Sequence, residues 1–220
     1  MKKSKAIHWF RQDLRLSDNP ALYDGAKNNS ILPIYILDDK NSKDLSMGAA
    51  SKFWLHHSLA SLDKSLNENL SIYQGDPLEI LLDIINRLNI QEIYWNRCYE
   101  PWRIKRDTLI KKELESNGIK VTTLNGSLLW EPWTIKKGDG TPYKVFTPFF
   151  RKGCLLSDEP RKPLPTPNNL DFLHDNDKSL EINDLALLPS IRWDIEMKPF
   201  WNIGEDGANK RLSEFLGNGI

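Results

Sequence analysis

The 220-residue sequence predicts an α/β fold: a doubly wound, five-stranded parallel sheet of order 3-2-1-4-5 that leads into a long irregular connector and a further helix. Two observations predict it. Up to about residue 125, short apolar runs of strand length alternate with longer stretches whose apolar residues recur at helical spacing. Such alternation is typical of a parallel sheet with helices on both faces. After about Gly126 the alternation stops, and residues 131–203 are rich in proline, tryptophan and glycine.

Each predicted strand is a short apolar run bounded by polar or turn residues. The second run ends at two adjacent carboxylates, Asp38 and Asp39. A stretch of helical character follows each of the first four runs, so the strands pair in parallel. The five predicted strands cover residues 6–10, 31–37, 70–73, 92–95 and 121–124.

The predicted helices begin and end at residues that suit helix termini. Asp18 is the predicted cap of the first, and Asp76 with Pro77 begins the third. Gly118 suits the left-handed position after the fourth. The second carries leucines at spacings of four, three and four, which form one apolar stripe: Leu55, Leu59, Leu62 and Leu66. The four helices cover about residues 20–27, 48–66, 77–88 and 101–117.

The pattern along the chain predicts three parts. Residues 1–130 form the α/β domain, residues 131–203 a connector that wraps over a surface, and residues 204–220 the first helix of a second domain. The last part begins a helix near Glu205, with apolar residues on one side: Leu212, Phe215 and Leu216. A connector that leads into a helix where the sequence stops predicts a truncated two-domain protein.

Composition excludes several classes of protein. Thirty basic residues balance thirty acidic ones, so the chain as a whole has no electrostatic footprint for nucleic acid. It contains no apolar run of about eighteen residues, and its basic start precedes only five apolar residues, fewer than a signal peptide needs. We therefore predict a cytoplasmic protein. Cys98 and Cys154 make neither a disulfide framework nor a metal set.

Candidate binding residues lie where strand order reverses in this Rossmann-like sheet, between strands one and four. Residues 10–13 and 96–100 meet there and are dense in hydrogen-bonding side chains, which suits a polar heterocycle or an anion. No glycine-rich phosphate loop is present. Arg11 has an alternative interpretation as part of an ion-pair net with Asp13 and Arg15 that fixes the loop after strand one. The adjacent carboxylates Asp38 and Asp39 resemble a metal-binding pair, but without a third metal ligand such a pair is typical of a solvated turn.

Four strings, in register, closely resemble the DNA photolyase and cryptochrome family. They are WFRQDLRLSDNPAL at 9–22, WLHHSL at 54–59, YWNRCYEP at 94–101 with RD at 106–107, and GTPYKVFTPF at 140–149. Together they extend over most of the chain to about residue 155.

The resemblance implies a flavoenzyme that splits cyclobutane pyrimidine dimers in DNA with blue or near-ultraviolet light. In this family an α/β domain and a connector precede a helical domain that binds FAD, the flipped-out lesion and ultraviolet-damaged DNA. By the resemblance, that domain begins near Gly204 and lies almost wholly beyond residue 220. The chain is then a monomeric antenna domain with its connector. It has no catalytic residues and is inactive alone.

The resemblance also implies a light-harvesting antenna chromophore on the α/β domain. Glu100 matches a glutamate that contacts folate antennae, whereas Arg11 and Asp38 lie where flavin antennae are held. Folate-type members have a histidine in the loop after strand two, where this sequence has Asp44-Leu45-Ser46-Met47. We therefore favour a deazaflavin or flavin, or no antenna, over a folate. The predicted chromophore contacts are Phe10, Arg11, Asp38, Met47, Asn96, Arg97 and Glu100.

Two alternatives remain open at the level of sequence. A cryptochrome-type photoreceptor shares all four strings and differs in the helical domain. A free-standing nucleotide- or flavin-binding α/β module would instead be a self-contained protein.

Overall fold

The computed structural model describes residues 3–41 and 46–219 and contains the predicted sheet. All five strands are parallel and their order is β3-β2-β1-β4-β5, which confirms the predicted topology. The prediction places each strand within two residues of its observed ends. The strands are β1 Ser4–Phe10, β2 Asn29–Leu37, β3 Ser71–Gln74, β4 Glu92–Asn96 and β5 Lys120–Leu124.

The helices also match the sequence prediction. They are α1 Pro20–Ala26, α2 Ala49–Ser65, α3 Pro77–Leu88, α4 Pro101–Ser116 and a last helix Glu205–Asn218. Asp76 caps α3 as predicted, accepting hydrogen bonds from two backbone N–H groups. Asp18 does not cap α1, because the Asn19 side chain accepts from the N–H of Leu22 instead. Asp18 is left-handed, with φ of 46°, and its carboxylate accepts from the connector residue Arg161.

The sheet has an apolar core on each face because successive strand residues point to opposite sides. In β1, Phe10 belongs to the core that includes the leucine stripe of α2, whereas Trp9 belongs to the core under α3 and α4. All four leucines of the stripe are buried. β1 is therefore central and enclosed on both faces, and only its carboxyl end reaches the loops above the sheet.

The connector crosses the surface of the α/β domain and pairs with it at two points. Phe172 forms an isolated parallel bridge with Ile31, and Leu180 an antiparallel one with Ile72. Farther along, Leu185 and Leu187 are buried in the α2 core. The segment is irregular apart from short helical turns, as the sequence predicts. No helix among the described ranges is both long and apolar enough to cross a membrane.

His8 gives the fold a pH dependence. Its side chain is fully buried in β1, and neither ring nitrogen has a hydrogen-bond partner among the described residues. Burial lowers the pKa of His8 from 6.5 to about 4 despite the opposing charge of Asp13. Because the folded pKa lies below the unfolded one, protonation favours the unfolded chain, and stability falls as pH drops from about 6.5 to about 4.

Between pH 7 and pH 5 the wild type should lose about 2 kcal/mol of unfolding free energy through His8. We expect H8L not to show this loss. Urea unfolding at the two pH values measures this difference. The control is H174L, which changes an exposed histidine and keeps the pH dependence of the wild type. An H8L protein as acid-sensitive as the wild type would contradict the prediction.

Candidate functional site

A cavity of about 920 Å³ lies above the carboxyl ends of β1 and β2. The residues that end these strands form its floor, and α2, the first turns of α4, the connector and the last helix form its walls. Charged and aromatic side chains dominate the end beside α4, and aliphatic ones line the end beside the connector. The lining includes Trp9, Phe10, Arg11, Gln12, Tyr35, Asp38, Met47, Trp54, Ser58, Trp102, Arg103, Arg106, Gly204, Glu205, Ala208 and Asn209.

Three guanidinium groups and two indoles are neighbours along the charged end of the cavity. We call this arrangement of Arg11, Trp9, Arg106, Trp102 and Arg103 the column. Arg11 lies over the Trp9 ring, with Cζ 4.4 Å from the ring centroid. Arg106 lies between the two indoles, 5.3 Å from Trp9 and 5.1 Å from Trp102. Arg103 Cζ is 4.7 Å from the ring centroid of Trp102. These distances are within the range of cation–π attraction, so the aromatic rings stabilise closely spaced cations.

The short loop between β4 and α4 makes this column possible. Because it spans only residues 97–100, it brings the first turns of α4 directly over the sheet edge. Trp102, Arg103 and Arg106 then share one side of the helix, since residues three and four apart are neighbours on its surface.

Three carboxylates lie beside these three guanidinium groups. Asp38 accepts from Arg106 Nη1 at 2.7 Å, and Asp107 accepts from both Arg106 and Arg11. Asp38 is therefore buried in an ion pair, and the alternative of a solvated turn is wrong for it. Glu100 lies 3.6 Å from Arg103 Nε. Among the described residues, no cluster of carboxylates, histidines and cysteines could hold a metal ion.

Arg11 retains unused hydrogen-bonding capacity. Its side chain is 2% exposed, yet Nε and Nη1 have no partner among the described residues. The indole N–H of Trp9 is likewise buried without a partner there. Each of these donor atoms exposes less than 1 Å² of surface, so an acceptor in the cavity can pair with them only if the Arg11 or Trp9 side chain shifts. Leaving buried donors unpaired is costly, which favours such a shift when an acceptor is present. Burial also raises the pKa of Tyr35 to about 12, which keeps its phenol protonated as a further donor.

Four of the seven predicted contact residues line the cavity: Phe10, Arg11, Asp38 and Met47. Asn96 belongs to a buried network, donating to Asp13 at 2.5 Å and to Asn19 at 2.7 Å. Its Oδ1 accepts from the N–H of Ala21. All its hydrogen-bonding atoms are therefore engaged within the fold.

The other two predicted residues lie outside the cavity wall. Arg97 pairs with Glu131 at the start of the connector, with Nε 2.7 Å from Oε1, and does not line the cavity. Glu100 accepts from Gln12 at 2.8 Å, and Gln12 is the one that lines the cavity. Protein side chains thus fill the space between β1 and β4, and the cavity lies one strand away, over β1 and β2. Of the preceding loop, Asp44 and Leu45 lie outside the described residues.

Sequence reasoning missed the tryptophans and two of the arginines. Trp9 is in a buried strand, where a core role is the ordinary expectation. The available signal was the string WRIKR at 102–106, which places an indole and two guanidiniums on one side of a helix. The string indicates a site only if this side of α4 lies against the cavity, and that orientation is set by the tertiary structure.

The sequence matches the family model described as DNA photolyase over residues 6–168. It is 36% identical, over 98% of its length, to the deoxyribodipyrimidine photo-lyase of Agrobacterium fabrum, of which it spans 45%. It is 32% identical, over 96% of its length, to Cryptochrome-2 of Arabidopsis thaliana, of which it spans 36%. A class III photolyase from Agrobacterium tumefaciens has a crystal structure that matches 99% of this chain with a TM-score of 0.90 at 36% identity. The chain spans 45% of that structure, and thus less than half of each relative.

Proposed function

The chain belongs to the DNA photolyase family, and on that premise we propose that it serves a light-driven deoxyribodipyrimidine photolyase by holding a light-harvesting chromophore in the cavity over β1 and β2. Repair of cyclobutane pyrimidine dimers needs FAD and a site for ultraviolet-damaged DNA. We assign both to the helical part of the family fold, which this chain does not span. The 36% identity to a deoxyribodipyrimidine photo-lyase supports the assignment.

The unpartnered donors of Arg11 are the observation that carries this proposal. A flat heteroaromatic ring with carbonyl oxygens or ring nitrogens fits them, because it can accept these hydrogen bonds and pack on the indoles of the wall. Arg11, Trp9 and Tyr35 would hold the acceptor edge, and Met47 would cover the ring. When bound, a chromophore of this kind absorbs light and passes excitation energy to FAD.

We propose a deazaflavin or a flavin ahead of a folate. Arg11 and Asp38, which correspond to flavin-antenna positions, both line the cavity, whereas Glu100, which corresponds to a folate contact, lies behind Gln12. The sequence 44–47 also lacks the histidine of folate-type members. The pyrimidine-dione edge of a flavin or deazaflavin supplies the acceptors that the Arg11 donors lack.

The experiment is a fluorescence titration of the purified chain with FMN, a deazaflavin and methenyl-folate. We expect saturable binding of FMN or the deazaflavin. Substitution A208W should block it, because an indole at this exposed wall position fills the cavity from the solvent side. The matched control is R211W, an exposed position on the same helix that does not line the cavity. Equal affinity in A208W and R211W would place binding elsewhere.

A cryptochrome-type photoreceptor is the second candidate, favoured by the 32% identity to Cryptochrome-2 over nearly the whole chain. The two candidates differ in light-dependent repair. Expression of the full-length gene product in repair-deficient cells, irradiated with ultraviolet and then with blue light, separates them. Improved survival supports the photolyase, and unchanged survival the photoreceptor.

The remaining assignments are also proposals. A cytoplasmic location and a monomeric state are part of the proposal. We keep the division into an α/β domain of residues 1–130, a connector of residues 131–203 and a further domain from residue 204.

A further inference from the structure

The last helix closes one side of the cavity through its first turn alone. Gly204, Glu205, Ala208 and Asn209 line the cavity. Beyond this turn the apolar side chains of the helix are more than half exposed: Leu212, Phe215 and Leu216. The helix is therefore fixed to the α/β domain at one end.

The Glu205 carboxylate makes the polar contacts of this end. One oxygen accepts from the backbone N–H of Leu16 at 2.7 Å, and the other accepts from the N–H and the hydroxyl of Ser17, the N–H at 2.9 Å. Both partners belong to the loop between β1 and α1, which begins at Arg11. Hydrogen bonds to an ionised acceptor are stronger than neutral ones, so this carboxylate holds the helix firmly.

Close packing next to Glu205 gives the attachment a defined geometry. Gly204 has a φ of +113°, and a Cβ there would lie 2.1 Å from Ser61 Oγ of α2, so glycine is required. Just before it, Trp201 packs edge-on against the cavity residue Trp54, with ring centroids 5.4 Å apart. The chain thus turns at Gly204 into a helix whose polar attachment is the carboxylate of the next residue.

We propose that Glu205 is a latch: it positions the last helix as a wall of the cavity, and its release opens the cavity to solvent and to ligand exchange. The inference rests on the proposed function only for the nature of the ligand. In the intact protein, a ligand would then enter or leave the cavity only when Glu205 releases the last helix.

The test compares E205Q with D206N. In E205Q an NH₂ group that cannot accept replaces one oxygen, so either Leu16 or Ser17 loses its acceptor. D206N removes the same charge from the same first turn at an exposed residue. Hydrogen exchange measures docking of residues 205–218. Cavity access is measured by the rate at which a maleimide labels S58C, a buried wall position, in each background.

We expect E205Q to raise both rates about tenfold, with sheet amides still protected, and D206N to stay within about twofold of the wild type. S17A, which removes one hydrogen bond without altering the helix, should act in the same direction but less. Unchanged labelling in E205Q overturns the inference. So does labelling that rises only together with exchange of the sheet, since Glu205 would then merely stabilise the fold. Neither hydrogen exchange nor labelling needs a ligand. The two measurements therefore test the role of Glu205 even if FMN does not bind.

Discussion

Substitution R11A is expected to lower the free energy of unfolding by about 3 kcal/mol, as is typical when one partner of a buried ion pair is removed. The Arg11 side chain is 2% exposed, pairs with Asp107 and lies over Trp9. Asp107 keeps Arg106 as a second partner, which prevents a larger loss. Urea unfolding at neutral pH measures the change. The matched control is R103Q, at the more exposed end of the same column, for which we expect less than about 1 kcal/mol.

A second variant separates binding from stability at this position. R11K keeps the charge and can still reach Asp107, but it lacks the planar fork that leaves two donors free. We therefore expect R11K to fold and to bind FMN or a deazaflavin about tenfold more weakly than the wild type. Full affinity in a folded R11K would show that the unpartnered donors of Arg11 do not contact the ligand.

The sheet and its helices were predictable because their signals are local. The leucine stripe of α2 repeats at helical spacing and is buried as that spacing requires. The turn at Asp76 and Pro77 provides a cap and a favourable first helical residue, and α3 begins there. These patterns depend on the chain within a few residues of each position, which a single sequence contains.

The candidate site was predictable only in part, because the use of a side chain depends on distant residues. Asn96 ends β4 in the expected place, but Asp13, Asn19 and Ala21 engage its side chain fully. Arg97 finds its carboxylate in Glu131, which is 34 residues away and outside the strand–helix pattern. Asp18 resembles a cap, yet connector residues fix it in the left-handed region.

Substitution D175A should release the connector from the α/β domain. Asp175 lies on the connector, and its side chain is 1% exposed. It accepts two hydrogen bonds from Arg87 of α3, at 2.8 Å and 2.6 Å, and one from the Tyr73 hydroxyl at 2.6 Å. Removing it leaves the Tyr73 hydroxyl and two Arg87 nitrogens without their acceptor, while Arg87 Nε keeps Asp83. We expect a loss of about 3 kcal/mol in unfolding free energy and faster proteolysis of residues 131–203.

D171A is the matched control, since Asp171 is on the same connector but half exposed, and we expect a loss below about 1 kcal/mol. Proteolysis as slow in D175A as in D171A would show that the connector is held mainly by its apolar contacts.

Asp175 should make the unfolding free energy depend on pH in a lower pH range than His8 does. Hydrogen bonds from Arg87 lower the pKa of Asp175 from 3.8 to about 2. Because the folded pKa is below the unfolded one, the stabilisation is complete above about pH 4 and is lost as pH falls through about 2. The difference in stability between wild type and D175N should therefore be constant from pH 7 to pH 5, where His8 titrates in the unfolded chain, and should shrink below pH 4. A difference that shrinks already at pH 5 would mean that Asp175 is not held ionised by Arg87.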